Sequence, residues 1–559
     1  MRKDDSTIDT SSPAAGSITS IDRRCLIAAS AATAAFSAAS QAYAAPGGNS
    51  DVLGDNPNRR AANALRLRIS AAQSQRRRLS PRQRANGDDG LYPDFRASFS
   101  KSLPHNEFGE VSQDAYQSLL TALQSGNGAD FERIPLGGTA RLANPQGAYR
   151  FVLSGVDGQA TWMRPAPAFA SDETAAEMAE LYWKAICRDV PFADYNSSDL
   201  IQAAADDLNA GPQRVGPLEN GAVTPSLIFR GETTGDLTGP YVSQFLWSPF
   251  AYGNLDFQQR YGAPRPALDY MTDPASWLAV QRGGGGDPLL LGSPRYINDA
   301  RALGEYVHQD FSFQAYLNAA LILVSLPEAA SASNPYAASQ TQDAFVNFGA
   351  PDVLDAVTRA GNLALTGAWY QKWLVHRRLR PEVYGGRLHY QMTGDRDYGL
   401  PEWLGFTDGV GRLMLRNGGA FLPMAYREGS PTHPAYPAGH ASVAGACCTV
   451  LKAFFNEAAV FASPVIASAD GSNLNSYSGS DLTVGGELNK LASNIALGRD
   501  WAGVHYRSDG IDGLLVGEQQ AIGLLSDLSR TYNETFDGFT LTKFDGSPLR
   551  IRNGTTSTS

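Results

Sequence analysis

The stretch Ser430–Cys448, "SPTHPAYPAGHASVAGACC", sets His433 and His440 around a series of proline turns and then runs into small, apolar residues. Pro437-Ala438-Gly439 is turn chemistry, and "HASVAGACCTVLKAFF" carries the apolar spacing of a buried helix. His440 is therefore expected in a first helical turn, where unpaired backbone N–H groups and the positive end of the helix dipole lie. Gly439 beside it permits close approach of an oxyanion. A histidine in that position serves equally well as a structural cap, so the choice falls to the rest of the chain.

Four of the seven histidines, His376, His389, His433 and His440, lie between 376 and 440, and His505 follows. In "YQKWLVHRRLRPE", Tyr370–Glu382, the residues Lys372, His376 and Arg380 are spaced i, i+4, i+8. The spacing predicts one face of a helix that Pro381 ends, either the cationic wall of a pocket or a solvated basic face. In "ALGRDWAGVHYRSDG", Arg499 precedes His505, and Asp509 stands four residues after His505. One helical turn away, that carboxylate fixes the tautomer of a ligand or nucleophile histidine, or forms an ordinary surface pair. Each signal alone is weak. Together, two arginines, a lysine, a helix N-terminus and two histidines describe a receptor for a tetrahedral or trigonal-bipyramidal oxyanion.

The 559 residues are 43% hydrophobic and 18% charged, ample for a large core. A net charge of -10 gives no whole-protein field for nucleic acid or an anionic membrane, so an anion site must be local. Residues 1–44 place Arg23 and Arg24 before a mildly apolar, alanine-rich run ending in Ala42-Tyr43-Ala44, the pattern of a twin-arginine signal for export to the periplasm or the exterior. Residues 45–90 form an arginine-rich arm with a helical pattern in its middle, and 91–559 a single large domain whose active-site half spans about 360–530. The fold class is mainly α: helical bundles joined by long irregular connections such as 209–300 and 463–485. The segment around Leu317 to Leu326 is too short to span a membrane and is expected as a buried helix. Beyond Cys25, the cysteines are Cys187 and the neighbours Cys447 and Cys448, expected as small core residues; there is no CxxC or CxxCH for thiolate zinc or attached haem. The glycine run from Gly283 to Gly286 lacks the preceding strand and following helix of a phosphate loop.

The order Lys-x7-Arg-Pro, Pro-x-Gly-His with a histidine seven residues earlier, and Gly-Arg-x5-His-x3-Asp resembles the vanadium-dependent haloperoxidases, and more broadly the type 2 phosphatidic acid phosphatases. Of these, the algal-type bromoperoxidase branch is the more similar. The likeness extends to "FSKSLPHNEFGEV", "ELYWKAICRDVPFADYN", "YVSQFLWSPF" and "NPYAASQTQDAFVNFG". The resemblance implies a helical haloperoxidase fold and vanadate, without haem, as cofactor. His505 would be the covalent ligand, with Lys372, Arg380, Arg499 and the Gly439 N–H on the oxygens. His440 would be the acid–base group, His433 its neighbour, and Asp509 the residue that orients His505. The partners implied are hydrogen peroxide, a halide (bromide, with chloride and iodide open) and small organic acceptors, with hypohalous acid as product and a dimer or larger homo-oligomer as the assembly. Neither nucleic acid nor membrane is implied. At one position the chain departs from the family: Ala438 stands where a serine hydroxyl usually bonds the vanadate. Gln371, before Lys372, lies where halide selectivity is open to influence. Two other readings use the same residues: a phosphatase with His505 as nucleophile and His440 as general acid, and a non-catalytic oxyanion-binding protein.

Overall fold

A computed structural model describes residues 57–285 and 291–558. The export signal, the start of the arginine-rich arm and Gly286 lie outside these residues. The helices that frame the molecule are α1 (Pro57–Arg77), α2 (Gln113–Ser125), α3 (Asp172–Cys187), α4 (Ala300–Gln309), α5 (Gln314–Val324), α6 (Ala350–Tyr370), α7 (Pro381–Met392), α8 (Gly439–Phe454), α9 (Val484–Trp501) and α10 (Arg507–Leu528). The mainly α expectation holds, and α5 is the buried apolar helix anticipated near Leu317. Among the described residues no helix is long and apolar enough to cross a membrane. Cys187, Cys447 and Cys448 are buried free thiols, as expected of core residues.

The irregular excursions carry two small antiparallel hairpins, β1 (Phe250–Tyr252) with β2 (Leu255–Phe257) and β3 (Val465–Ala467) with β4 (Leu474–Ser476). A three-stranded antiparallel sheet, β5 (Phe539–Thr542), β6 (Pro548–Arg552) and β7 (Thr555–Ser557), closes the C-terminal end and corrects the purely helical picture there. Its turns contain Asp545-Gly546 and Asn553-Gly554, with both glycines at positive φ (80° and 78°), the conformation a tight hairpin needs.

Helix boundaries follow from local chemistry. Ser112, Ser171, Asp299 and Thr483 each accept a backbone N–H from the first turn of α2, α3, α4 and α9. Helix α8, like α5, α6 and α7, lacks such a cap. Its cap residue is Ala438, which has no side chain with which to bond the first-turn N–H groups. Apart from His440, all of α8 is buried, enclosed by α6, α9 and α10. Helices α8 and α10 run parallel at backbone contact, because a methyl group on Gly517 would overlap the carbonyl of Ser442 and one on Gly445 the carbonyl of Leu514. This close packing brings the N-terminal ends of α8 and α10 together, and both dipoles add positive potential at the same end.

Gly517→Ala gains about 1 kcal/mol of helix propensity but pushes a methyl group into backbone that has no rotamer to yield, a cost of about 1–3 kcal/mol or more. The expected net result is a lower melting temperature by scanning calorimetry. An unchanged or higher one would contradict the backbone-to-backbone contact.

Candidate active site

His505 lies just before α10, and Asp509 sits in the first turn of that helix. Asp509 Oδ2 accepts from His505 Nδ1 at 2.8 Å and from the Tyr506 N–H at 3.2 Å. The expected pairing forms, with His505 outside the helix rather than on it. Asp509 Oδ1 accepts from Arg378 at 2.8 Å; the same guanidinium donates to Glu177 at 3.0 Å and lies 3.8 Å over the Tyr506 ring. Arg380 Nη1 stands 3.0 Å from His505 Nε2. A carboxylate only accepts and a guanidinium only donates, so the proton sits on Nδ1 and Nε2 presents its lone pair. Burial, reinforced by Arg380, Lys372 and Arg499, holds the His505 pKa well below its usual value and the ring neutral.

The predicted face of Lys372, His376 and Arg380 does not exist as one helix. Helix α6 passes into a π-helical segment, Gln371–His376, that ends at Arg377 with φ 43°. Arg380 is extended (φ -84°, ψ 154°), and Pro381 opens α7 instead of ending a helix. A residue before proline avoids the helical region, and proline itself suits the first helical position, where its missing N–H costs nothing. His376 points elsewhere, edge-on to Tyr436 at 4.8 Å, with neither ring nitrogen hydrogen-bonded. Gln371 is buried and donates to Gln83 and to the Thr161 carbonyl.

Lys372, Arg380 and Arg499 nevertheless converge, each within electrostatic reach of His505. Backbone carbonyls hold all three. Lys372 Nζ donates to Pro434 and Ala435 oxygens at 2.7 and 2.8 Å; Arg380 donates to those of Val504 and His433 at 2.7 and 3.0 Å; Arg499 donates to that of Val307 at 2.6 Å. Several other buried cations of this core have carboxylates: Arg378 has Glu177 and Asp509, Arg507 has Glu180, Lys184 has Asp500 and Arg188 has Asp269, whereas Arg387 and Lys452 also rest on backbone carbonyls. Burial, then Arg380 and Arg499, drives the Lys372 pKa well below that of a free lysine. Burial brings Arg380 down to about 9, still a cation at neutral pH. Arg499 Nε is buried with no partner, and only two of the Lys372 Nζ hydrogens are taken.

His440 stands in the first turn of α8 as expected, partly exposed, with Nε2 3.1 Å from Asp310 Oδ1. Burial and then Arg499 lower its pKa. The neutral ring therefore donates from Nε2 to Asp310, and Nδ1 is left as an acceptor. His433 Nδ1 accepts from Arg380 Nη2 at 3.0 Å, and its ring packs on Trp369 at 4.8 Å. At Gly439 a methyl group would meet Trp369 and Leu365 only at ordinary contact distance, so the neighbouring protein atoms do not themselves demand glycine there. The loop carrying His433 is fixed by Lys101, which donates to Glu382 at 2.9 Å and to the carbonyls of Glu428 and Ser430 at 2.6 Å.

A neutral imidazole nitrogen, three cations lacking carboxylates and an uncapped helix end form a site for a multiply charged oxyanion at which a nucleophilic nitrogen meets its central atom. A family profile described as the VCPO second helical-bundle domain matches residues 352–534. The vanadium-dependent bromoperoxidase of Ascophyllum nodosum is 36% identical over 89% of this chain and 93% of its own length. The chain belongs to the vanadium-dependent bromoperoxidase family. A second member, from Corallina pilulifera, is 35% identical over 89% of this chain and 99% of its own. Among solved bromoperoxidases, the homohexameric second vanadate-dependent enzyme of A. nodosum matches with a TM-score of 0.84 at 30% identity, covering 89% of this chain and 91% of that one.

Sequence reading missed Asp310, Arg378 and Glu177. They reach the site from distant segments, and no local motif announces them.

Six of the seven histidines, His308 being the exception, have depressed pKa values, with His376 brought down to about 3 by burial. Below the unfolded value the unfolded chain binds more protons than the fold, so each such group stabilises the fold above about pH 6.5 and loses that contribution as pH falls. His376→Phe removes one. Its melting temperature relative to the parent is expected to rise as pH drops from about 7 to about 5, at up to about 1.4 kcal/mol per pH unit. Parallel curves for the two proteins would contradict a neutral, buried His376.

Proposed function

We propose that the protein oxidises bromide with hydrogen peroxide to hypobromous acid at a vanadate carried by His505. The observation behind this reading is that Lys372, Arg380 and Arg499 are gathered on backbone carbonyls, without carboxylates of their own, around the unprotonated Nε2 of His505, which Arg380 meets at 3.0 Å. The residues fit the cofactor. Arg499 Nε and the third Lys372 hydrogen lack partners, and Ala438 leaves the first-turn N–H groups of α8 uncapped, that of Gly439 among them. Lys372, Arg380, Arg499 and the Gly439 N–H would take the oxygens, and His505 Nε2 the metal. Bound vanadate supplies Lewis acidity toward hydrogen peroxide without a change of oxidation state.

The protein's own residues do the rest. His440, neutral with Nδ1 open, takes a proton from incoming hydrogen peroxide and returns it to the departing oxygen, while Asp310 keeps the ring in that tautomer. Asp509, held by Arg378, fixes the His505 proton on Nδ1 and keeps Nε2 a donor of electrons. The cationic wall stabilises negative charge on the reacting oxygens in a setting where water cannot screen it. His433, bonded to Arg380, keeps that guanidinium oriented. Small organic acceptors then react with the hypohalous acid. The homohexameric state of the A. nodosum enzyme supports a homo-oligomer here, and the paired arginines of residues 1–44 support export by the twin-arginine route to the periplasm or exterior.

The test is bromination of a phenolic dye by purified apo-protein with bromide and hydrogen peroxide, with and without orthovanadate. Vanadate-dependent activity suppressed by phosphate is expected. Phosphate-ester hydrolysis with no halide oxidation would overturn the reading. Ala438→Ser adds one hydroxyl at the helix mouth. A hydrogen bond to a charged group contributes about 1.5–3 kcal/mol, so orthovanadate affinity, measured by equilibrium dialysis, is expected to rise about tenfold or more. Unchanged affinity with a higher melting temperature would mean that the hydroxyl caps the helix instead.

A further inference from the structure

Arg499, like Arg380 on His433, leans on a side chain, and its support is an aromatic ring. Its Nη1 donates to the Tyr426 hydroxyl at 3.3 Å as well as to Val307, and its guanidinium lies 5.3 Å from the centre of the Tyr426 ring. The Tyr426 hydroxyl in turn donates to the Gly304 carbonyl on α4. Parallel to the Tyr426 ring, with centres 3.8 Å apart and planes 11° from coplanar, lies His308 at the end of α4. Both His308 nitrogens meet carboxylates: Nε2 is 2.6 Å from Glu428 and Nδ1 3.2 Å from Glu305. The Gln309 amide also lies 3.3 Å from Nδ1, but the two carboxylates favour a proton on each nitrogen, which makes the ring an imidazolium stacked on a phenol. Burial opposes that charge, but the hydrogen bonds to Glu305 and Glu428 prevail and push its pKa up to about 9. The backbone of Glu428 is held by Lys101, the same lysine that fixes the loop of His433.

The catalytic scheme above gives His308 no task, yet it is the sole histidine of the seven whose pKa is raised. Of its contacts, the Tyr426 ring leads to Arg499. We infer that His308 is a positioning residue of the oxyanion site: pinned between Glu305 and Glu428, it presses on Tyr426, and Tyr426 is the platform that aims Arg499. It thereby sets oxyanion affinity without touching the oxyanion. This rests on the reading of the site as an oxyanion receptor. The clamp also ties α4, whose C-cap Asp310 is the partner of His440, to the loop that supplies the carbonyls for Lys372. One ring thus couples the placement of two site cations.

The experiment is isothermal titration of orthovanadate, and separately of inorganic phosphate, into the apo-protein. His308→Ala is expected to weaken both about tenfold. In an Arg499→Lys background, where there is no fork left to aim, the same substitution should cost less than about twofold. A merely structural role would lower the melting temperature and leave this dependence on Arg499 absent. Glu428→Gln, at a half-exposed side chain that does not threaten folding, should weaken binding in the same direction by about threefold. Unchanged affinity in His308→Ala and Glu428→Gln, or the same loss in both backgrounds, overturns the inference. Failure of the parent to bind either anion would instead overturn the receptor reading on which it rests, and the inference with it.

Discussion

The site depends on holding like charges together out of water. Lys372, Arg380 and Arg499 are each at most 4% exposed, and in a medium of low effective dielectric their mutual repulsion is much larger than in solvent. Carboxylates are the usual remedy for buried cations and the one used for Arg378, Arg507, Lys184 and Arg188. Here the remedy is backbone carbonyls, which satisfy part of the hydrogen bonding and do not cancel the charge. Burial first, and then repulsion from Arg380 and Arg499, depresses the Lys372 pKa, and a multiply charged anion relieves that repulsion. The three adjacent histidines respond to the same field: His433, His440 and His505 are kept neutral by burial and by these cations. That leaves one lone pair for a ligand bond and another for proton transfer.

Such a cluster stands only if its surroundings cannot relax. Burying charge costs several kcal/mol per ion unless the partners are fixed, and the fixing is done by elements remote from the chemistry. Helices α8 and α10 touch backbone to backbone at Gly445 and Gly517, so the two helix ends that carry His440 and His505 have no freedom to drift. Lys101 and Glu382 lock the loop that presents the Pro434 and Ala435 carbonyls. Glu177 and Arg378 lock Asp509 and through it His505. Ala438 belongs to the same logic: at the mouth of the site, the missing cap leaves N–H donors for a guest.

Much of the site was legible in the sequence because its ligands sit in short segments with strong turn chemistry. His440 after Pro-Ala-Gly could be placed at a helix mouth, and His505 paired with Asp509, from spacing alone, although His505 precedes the helix on which that spacing put it. The path of the backbone between Lys372 and Arg380 could not. "QKWLVHRRLRP" has helical composition throughout, and a proline serves as well to begin a helix as to end one. Only tertiary packing, which commits Arg377 to the left-handed region, decides. The supporting residues Asp310, Arg378, Glu177 and His308 were silent for a related reason: each is an ordinary helix or loop residue until the fold brings its partner from far along the chain. The C-terminal sheet was a readable signal overlooked, since its Asp-Gly and Asn-Gly dipeptides lie between alternating residues, the pattern of hairpins.

The central claim is that the cation cluster delivers vanadate to one particular nitrogen. Vanadium K-edge X-ray absorption on the reconstituted protein tests this directly, compared with a His505→Gln variant loaded at higher orthovanadate. One nitrogen among otherwise oxygen ligands in the parent, absent from the variant, is the predicted result. An all-oxygen shell in the parent, or a nitrogen that persists in the variant, would contradict the account.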